Sequence, residues 1–426
     1  MAEYNRTTFP IYFWCGRAHA AIAGDREKAD WKDAYFTRLL LGADAPTPEG
    51  VKKTRELLDW CYENDIDVIL EDPRVMLYTY GLSKDQPPEG GHLPPEYREN
   101  VRAAARDYAD HPAVYAFGIL DEPGWQAYEP CVESARIVRE ETGKEPFINQ
   151  KPHYIGVEKK LRFDTYREFL EQFARESGVG FLTFDHYGAV SDGKWCNPNY
   201  WYTIRSNMEA AKANGIDMWT IVCSVPHFTY CPETYNDIRF QVNASLAYGA
   251  KAISYFTLDT PRLGGGGESN YRLGPINWWG ERTPMYGYIR DVNRELLGRW
   301  GSRFLRLDCE KVTHFPAPPH EEEPAFEHDE HIRALTVLKG PEDPHVVVST
   351  FTHKDTGDTH VFFVNTSVRD SVLLQIWYEK AQKTWSYRLD GEEVPTEEKI
   401  DPETGAVTLE LWLAPGQGEL FRLEEK

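Results

Sequence analysis

Val114-Tyr115-Ala116-Phe117-Gly118-Ile119-Leu120-Asp121-Glu122-Pro123 is the stretch whose reading decides the fold. The run Val114–Leu120 is too short for a helix, and it is apolar almost without interruption. A strand that faces solvent on one side alternates in polarity. A run this continuous reads as a strand buried on both faces, which is the condition of a parallel sheet covered by helices. Two consecutive carboxylates close the run, and Pro123 follows; with no N–H to donate, it ends the ladder.

Working outward, seven more runs have the same character: Ile11–Cys15, Arg38–Gly42, Asp67–Leu70, Pro146–Asn149, Gly180–Phe184, Met218–Val222 and Ala252–Thr257. Helical segments are expected between them. Thr47–Asn64 places Pro48 in a first turn, and Pro95–Asp110 carries Val101, Ala104, Ala105 and Tyr108 at helical spacing. Pro130–Gly143 ends on a glycine suited to a C-cap. Asp164–Ser177 opens on an Asp cap. Asn197–Asn214, Pro232–Tyr248 and Thr283–Trp300 complete the set, with a weaker pattern at Ala29–Tyr35. Eight strand–helix units over residues 11–300 predict a (β/α)₈ TIM barrel. An open doubly wound sheet would be expected to carry a glycine-rich phosphate turn after its first strand, and Cys15-Gly16-Arg17 is not one.

Beyond Trp300 the period changes to that of strands. Runs at Ala334–Leu338, His345–Phe351, His360–Asn365, Ser371–Trp377, Thr384–Leu389, Gly405–Trp412 and Gly418–Leu423 predict a small antiparallel β-sandwich. The Pro- and Glu-rich segment His314–His331 reads as a linker or exposed loop. The expected division is 1–304 for the catalytic barrel and 305–426 for the sandwich.

The chain has 426 residues, 41% of them apolar and 13% aromatic, enough for a large core. Its 47 basic and 68 acidic residues give a net charge of −21, which excludes a phosphate-binding footprint and disfavours nucleic acid and anionic membranes. No apolar run reaches the length of a membrane span. Met1–Pro10 lacks a basic region followed by an apolar stretch, so a cytoplasmic location is expected. The seven cysteines are widely spaced without a CxxC and read as reduced structural thiols.

In a barrel of this kind, chemistry sits at the C-terminal ends of the strands. Those ends read Gly42-Ala43-Asp44, Glu71-Asp72-Pro73, Asp121-Glu122-Pro123, Asn149-Gln150-Lys151, Asp185-His186-Tyr187, Cys223-Ser224-Val225-Pro226-His227 and Asp259-Thr260-Pro261. Carboxylates beside aromatic faces suit a sugar, whose hydroxyls meet Asp, Asn and His and whose C–H face meets Trp. Glycosidic hydrolysis needs one carboxylic acid for the leaving oxygen and a second carboxylate as nucleophile or base. Glu122 is the expected general acid and Asp185 its expected partner. Asn149, His186, Tyr187, Trp125, His227, Glu71 and Asp259 are the expected substrate contacts. His186 and His227 form no HxH or i, i+4 pair, so neither a metal nor a cofactor is expected.

These motifs carry a resemblance. A Glu closing the fourth strand before Pro resembles the acid/base of the clan A glycoside hydrolases, whose usual motif there is Asn-Glu-Pro; Asp121 stands where that Asn would be. Together with Phe184-Asp185-His186-Tyr187 and Ala247-Tyr248-Gly249-Ala250-Lys251 leading into Tyr255-Phe256-Thr257, it makes residues 10–300 similar to a poorly characterised bacterial group of that type. The resemblance implies glycoside hydrolysis by paired carboxylates, and the expected cytoplasmic location favours small oligosaccharides or glycosides and exo-action. It also exposes a departure. Clan A enzymes carry a nucleophilic Glu at the end of strand seven, where this chain has Cys223, Ser224, Val225, Pro226 and His227. The nearest acid, Glu233, reads as a first-turn helix residue. Two rival readings are a non-catalytic carbohydrate-binding barrel and a metal-dependent sugar isomerase or aldolase-type barrel. Gly264–Gly267 is expected to give a mobile loop over the site.

Overall fold

The computed structural model describes residues 8–14, 18–82, 92–154, 156–188, 198–230, 234–261, 270–379, 382–400 and 406–425. Cys15-Gly16-Arg17, Trp195, Cys196, Cys231, Glu233 and Gly264–Gly267 lie outside the described residues. The barrel strands are β1 (Ile11–Trp14), β2 (Arg38–Gly42), β3 (Asp67–Glu71), β4 (Val114–Asp121), β5 (Glu145–Gln150), β6 (Phe181–Asp185), β7 (Asp217–Cys223) and β8 (Ala252–Phe256). They form one parallel sheet in the order β1-β8-β7-β6-β5-β4-β3-β2. At the seam between β1 and β2, Thr37 completes the circuit: its N–H donates to Ile11 O at 3.0 Å, and its hydroxyl accepts from Ile11 N–H at 2.9 Å.

The barrel is filled, not hollow. Each strand sends one side chain to a shared interior cluster: Tyr12, Leu40, Ile69, Ala116, Phe147, Phe181, Trp219 and Ala252. Phe181 and Trp219 stack at 3.6 Å between centroids. Below them the buried Arg38 pairs with Asp67 at 2.5 Å and lies between the rings of Tyr115 and Trp219, 4.0 and 4.6 Å from their centroids. A buried guanidinium needs both a counter-charge and a polarisable surround, and it has them. Above this packing, open space lies toward the C-terminal ends of the strands.

The helices are α1 (Asp25–Asp33), α2 (Pro48–Glu63), α3 (Tyr97–Tyr108), α4 (Trp125–Thr142), α5 (Val157–Leu161), α6 (Tyr166–Ser177), α7 (Pro198–Asn214), α8 (Tyr235–Ala247) and α9 (Pro284–Glu295). Three departures from the sequence reading stand out. α1 begins at Asp25, four residues before the expected Ala29, and ends before Tyr35. α4 starts at Trp125 rather than Pro130; the buried positions Ala127, Tyr128 and Cys131 carry its apolar face through the proline, while Gly143 caps its C-terminus at φ 67° as expected. α6 is capped by Thr165, whose hydroxyl accepts from Glu168 N–H at 3.1 Å, not by Asp164. No helix among the described residues is long and apolar enough to cross a membrane.

After a wide turn at Leu296–Trp300 come the sandwich strands β9 (Leu307–Phe315), β10 (Ile332–Lys339), β11 (Val346–His353), β12 (Thr359–Asn365), β13 (Val372–Tyr378), β14 (Gln382–Tyr387), β15 (Glu393–Pro395), β16 (Lys399–Ile400), β17 (Val407–Leu413) and β18 (Gly418–Glu425). Two antiparallel sheets, β10-β13-β17-β16 and β15-β14-β18-β12-β11-β9, enclose a second core that includes Val348, Phe363, Leu374 and Phe421.

The segment His314–His331 is not a plain linker. Its first residues belong to β9, and its Glu323 is buried at 3% exposure. The Glu323 Oε2 accepts from Arg205 of α7 (Nε 2.7 Å, Nη2 2.5 Å), from the Tyr248 hydroxyl at 2.8 Å, and lies 3.0 Å from His314 Nε2. The sandwich is further tied to the barrel by Asn243 donating to Gly416 O at 3.0 Å and by Arg299 on Glu419 at 2.5 Å.

Candidate active site

Above the filled interior, the ends of β4, β5, β6, β7 and β8 enclose a cavity of about 400 Å³. Its lining includes Asp121, Glu122, Asn149, Asp185, His186, Tyr187 and His227, with Trp14, Ile221, Phe256 and Tyr271 as apolar wall. Of the expected site residues, Glu122, Asp185, Asn149, His186, Tyr187 and His227 come together here.

The β4 end explains how two consecutive acids serve one cavity. In an extended strand, neighbouring side chains point to opposite faces. Glu122 breaks that rule by adopting φ 47°, a left-handed conformation uncommon for a residue with a Cβ. Its N–H donates to Asn149 O at 2.8 Å, which fixes the turn. Asp121 and Glu122 therefore both line the cavity. Strain of this kind persists only where surrounding structure holds it, and it gathers at functional sites.

Asn149 is the organiser. It is 2% exposed and pairs in register with Asp121 across β4 and β5. Its Nδ2 donates to Asp121 Oδ1 at 3.0 Å and to Asp185 Oδ1 at 2.8 Å. Two carboxylate acceptors on one nitrogen settle which way the amide faces. Its Oδ1 is buried and has no hydrogen-bond partner among the described residues.

His186 is pushed down to about 4 by burial, so its ring is neutral near pH 7. Gly188 N–H donates to its Nδ1 at 3.0 Å, leaving the ring proton on Nε2. His227 is likewise lowered by burial; its Nδ1–H donates to Val225 O at 2.7 Å and leaves Nε2 as the acceptor. Tyr187 stacks on Phe256 at 5.6 Å. Burial first, then the charges of Asp185, Glu122 and Asp121, hold its hydroxyl well above the ordinary tyrosine range, so it remains a donor.

Glu71, Trp125 and Asp259 do not line this cavity. Glu71 sits at the end of β3, packed so closely on Gly118 that a Cβ there would come within 2.9 Å of its Cγ. Burial, with the charge of Asp121 adding to it, pushes its carboxyl up to about 7. Asp72 is held by Arg74 at 2.8 Å. Trp125 begins α4, one third exposed, with the Arg162 guanidinium over its ring. Asp259 pairs with Ile276 and faces a separate small crevice beside Arg26 and Trp31. The sequence reading missed His153 and Tyr154, which follow β5 as Pro152-His153-Tyr154, and Phe228, Tyr230 and Tyr271 from the loops after β7 and β8. The Pro-His-Tyr run beside a strand end was the available signal for the first pair; Tyr271 gives none.

The β7 end carries no acid among the described residues. Cys223 is clamped by Gln241 of α8, which bonds its N–H at 2.8 Å and its carbonyl at 3.0 Å. The Ser224 hydroxyl donates to Thr257 O at 2.8 Å. These small residues are engaged in holding backbone.

No protein-family profile matches the chain, and no curated protein matches it. Solved structures do. Over 98% of this chain and 89% of the other, it superposes on a family 5 glycoside hydrolase from Bacteroides vulgatus with a TM-score of 0.57 at 13% identity. A family 39 glycoside hydrolase from Bacteroides cellulosilyticus matches over 99% of this chain and 82% of its own, TM-score 0.53, 10% identity. A β-galactosidase from a Rahnella species matches over 72% of this chain, TM-score 0.53, 14% identity. The chain spans 58% of the Rahnella β-galactosidase and 59% of one from Marinomonas. The protein thus shares with these glycoside hydrolases a (β/α)₈ barrel fold, with an antiparallel β-domain after it.

Proposed function

We propose that the protein hydrolyses O-glycosidic bonds of small carbohydrates, with Glu122 as general acid and Asp185 as the second carboxylate. One observation carries this reading: Asp121, Glu122 and Asp185, brought from two strands, converge around Asn149 in a single aromatic-walled cavity. In the reaction, the protonated Glu122 gives its proton to the departing oxygen while negative charge on the facing carboxylates supports the cationic sugar ring. The Tyr187 hydroxyl supplies a donor to sugar oxygens, and His227 Nε2 supplies an acceptor. A volume of about 400 Å³ is at the small end of ligand sites, which span roughly 300–1,000 Å³. It favours a terminal sugar and exo-action over a polymer lying across the barrel.

The test is a panel of chromogenic glycosides with wild type against Glu122→Gln. Turnover of at least one glycoside, lowered by about 10²-fold or more in the variant, supports the reading. Tight sugar binding without turnover by wild type would favour the carbohydrate-binding barrel instead.

A further inference from the structure

The hydrolase reading leaves one chemical question open, namely which atom attacks the anomeric carbon. At the β7 end, Cys223 and Ser224 are held in backbone contacts. Asp185 shares the Asn149 amide with Asp121. That arrangement holds the two carboxylates to one side of the cavity as a unit. Meanwhile the turn at Glu122, φ 47°, places a second acid directly beside the proton donor. The Asn149 Oδ1, on a residue that lines the cavity, is buried and lacks a donor among the described residues. The site thus presents an acid, an adjoining carboxylate, a buried acceptor that lacks a donor, and an apolar wall from Trp14 and Phe256.

Resting on the hydrolase reading, we infer that the substrate is a 1,2-trans glycoside of a 2-acetamido-2-deoxy sugar, and that its own acetamido oxygen is the nucleophile. Asp121 accepts the hydrogen bond of the acetamido N–H, and the Tyr187 hydroxyl steadies the acetamido oxygen as it turns toward the ring. The methyl group meets the apolar wall of Trp14 and Phe256. In the first step the acetamido oxygen bonds to C1 as the C1–O bond to the leaving group breaks. The Glu122 proton goes to the departing oxygen, and the amide nitrogen's growing positive charge is met by Asp121. In the second step water bonds to C1, Glu122 takes a proton from it, and the C1–O bond to the acetamido group breaks, restoring the amide. One water is consumed, no other reactant is needed, and two inversions at C1 give net retention.

The experiment compares 4-nitrophenyl β-glycosides of N-acetylglucosamine and N-acetylgalactosamine with those of glucose and galactose, using the full chain. Discrimination against the 2-hydroxy sugars of at least about 10²-fold in kcat/KM is expected, because a site built for an N–H rejects a substrate lacking it. On the acetamido substrate, Asp121→Asn lowers kcat by about 10²-fold, the scale for losing a preorganised charge at a developing one. Replacing the acetamido methyl by trifluoromethyl weakens the nucleophilic oxygen and lowers kcat in wild type. Equal or better turnover of the 2-hydroxy glycosides, or a rate indifferent to fluorination, overturns the inference and leaves the hydrolase reading standing. Turnover of neither class overturns both.

Discussion

Removing Glu323 puts a number on how the sandwich is fastened to the barrel. Its Oε2 meets Arg205, Tyr248 and His314 at once, and Glu323 is 3% exposed while the Arg205 side chain is 12% exposed. Glu323→Ala strands that guanidinium, which keeps Val312 O at 3.1 Å, Glu209 at 3.8 Å and the Tyr248 ring at 5.4 Å from its centroid. Breaking a buried pair from one side costs about 3–5 kcal/mol. For 426 residues unfolding together, at about 2.1 cal/mol/K each, the unfolding entropy is about 0.9 kcal/mol/K, so Tm should fall by about 3–6 °C. Scanning calorimetry at pH 7 reads it. The double variant Arg205→Met/Glu323→Leu should recover most of the loss, because it removes both charges and keeps the volume. A fall under about 1 °C in Glu323→Ala, or a double variant worse than the single, would refute the reasoning. Acid should loosen the same cluster. The Glu323 carboxyl is held below its usual range, so its contribution is present above the unfolded value near 4.3 and lost below it. Burial lowers His314 and pushes His345 down to about 3, so as pH falls below about 6.5 the unfolded chain takes up protons that the fold refuses.

Glu71→Gln should leave Tm near wild type at pH 5 and raise it at pH 8. The native carboxyl, pushed up to about 7, holds its proton where the unfolded one has lost it, so wild-type stability declines as pH rises from about 4.3 to about 7; a flat difference across that range would count against the buried placement. Asn149→Ala should lower turnover by at least about 10²-fold by releasing Asp121 and Asp185 from their shared donor, and unchanged kinetics would remove its organising role. Truncation after residue 305 should yield aggregated or less thermostable barrel, since it strips Arg205, Tyr248 and Asn243 of their sandwich partners; a soluble fragment with the full-length Tm would contradict this.

The barrel was legible because a parallel strand buried on both faces writes itself as a short apolar run; all eight fall within a residue or so of where the runs predict them. β9 escaped notice because Leu307–Phe315 mixes Asp308, Glu310 and Lys311 into its exposed positions, and Glu323 lay in a Pro- and Glu-rich stretch that composition marks as solvated. Its burial depends on Arg205 and Tyr248, both distant in the chain, as well as on His314 nine residues away. Among site residues, those on the ends of β4, β5 and β6 could be placed because strand direction carries them to the mouth, whereas Glu71 at the end of β3 packs on Gly118 instead. Trp125 and Asp259 could not: the first depends on where α4 begins, the second on the pairing with Ile276 that turns the chain away. Asn149's two-sided hydrogen bond is a matter of register between β4, β5 and β6 and has no signature in the sequence.

The central claim, that Glu122 protonates the departing oxygen, is tested most directly by leaving-group dependence. With a 4-methoxyphenyl glycoside, whose oxygen needs a proton to leave, Glu122→Gln should lose at least about 10²-fold in kcat/KM. With the 2,4-dinitrophenyl glycoside of the same sugar, which departs without help, the loss should be far smaller. Equal losses on both substrates would contradict the assignment.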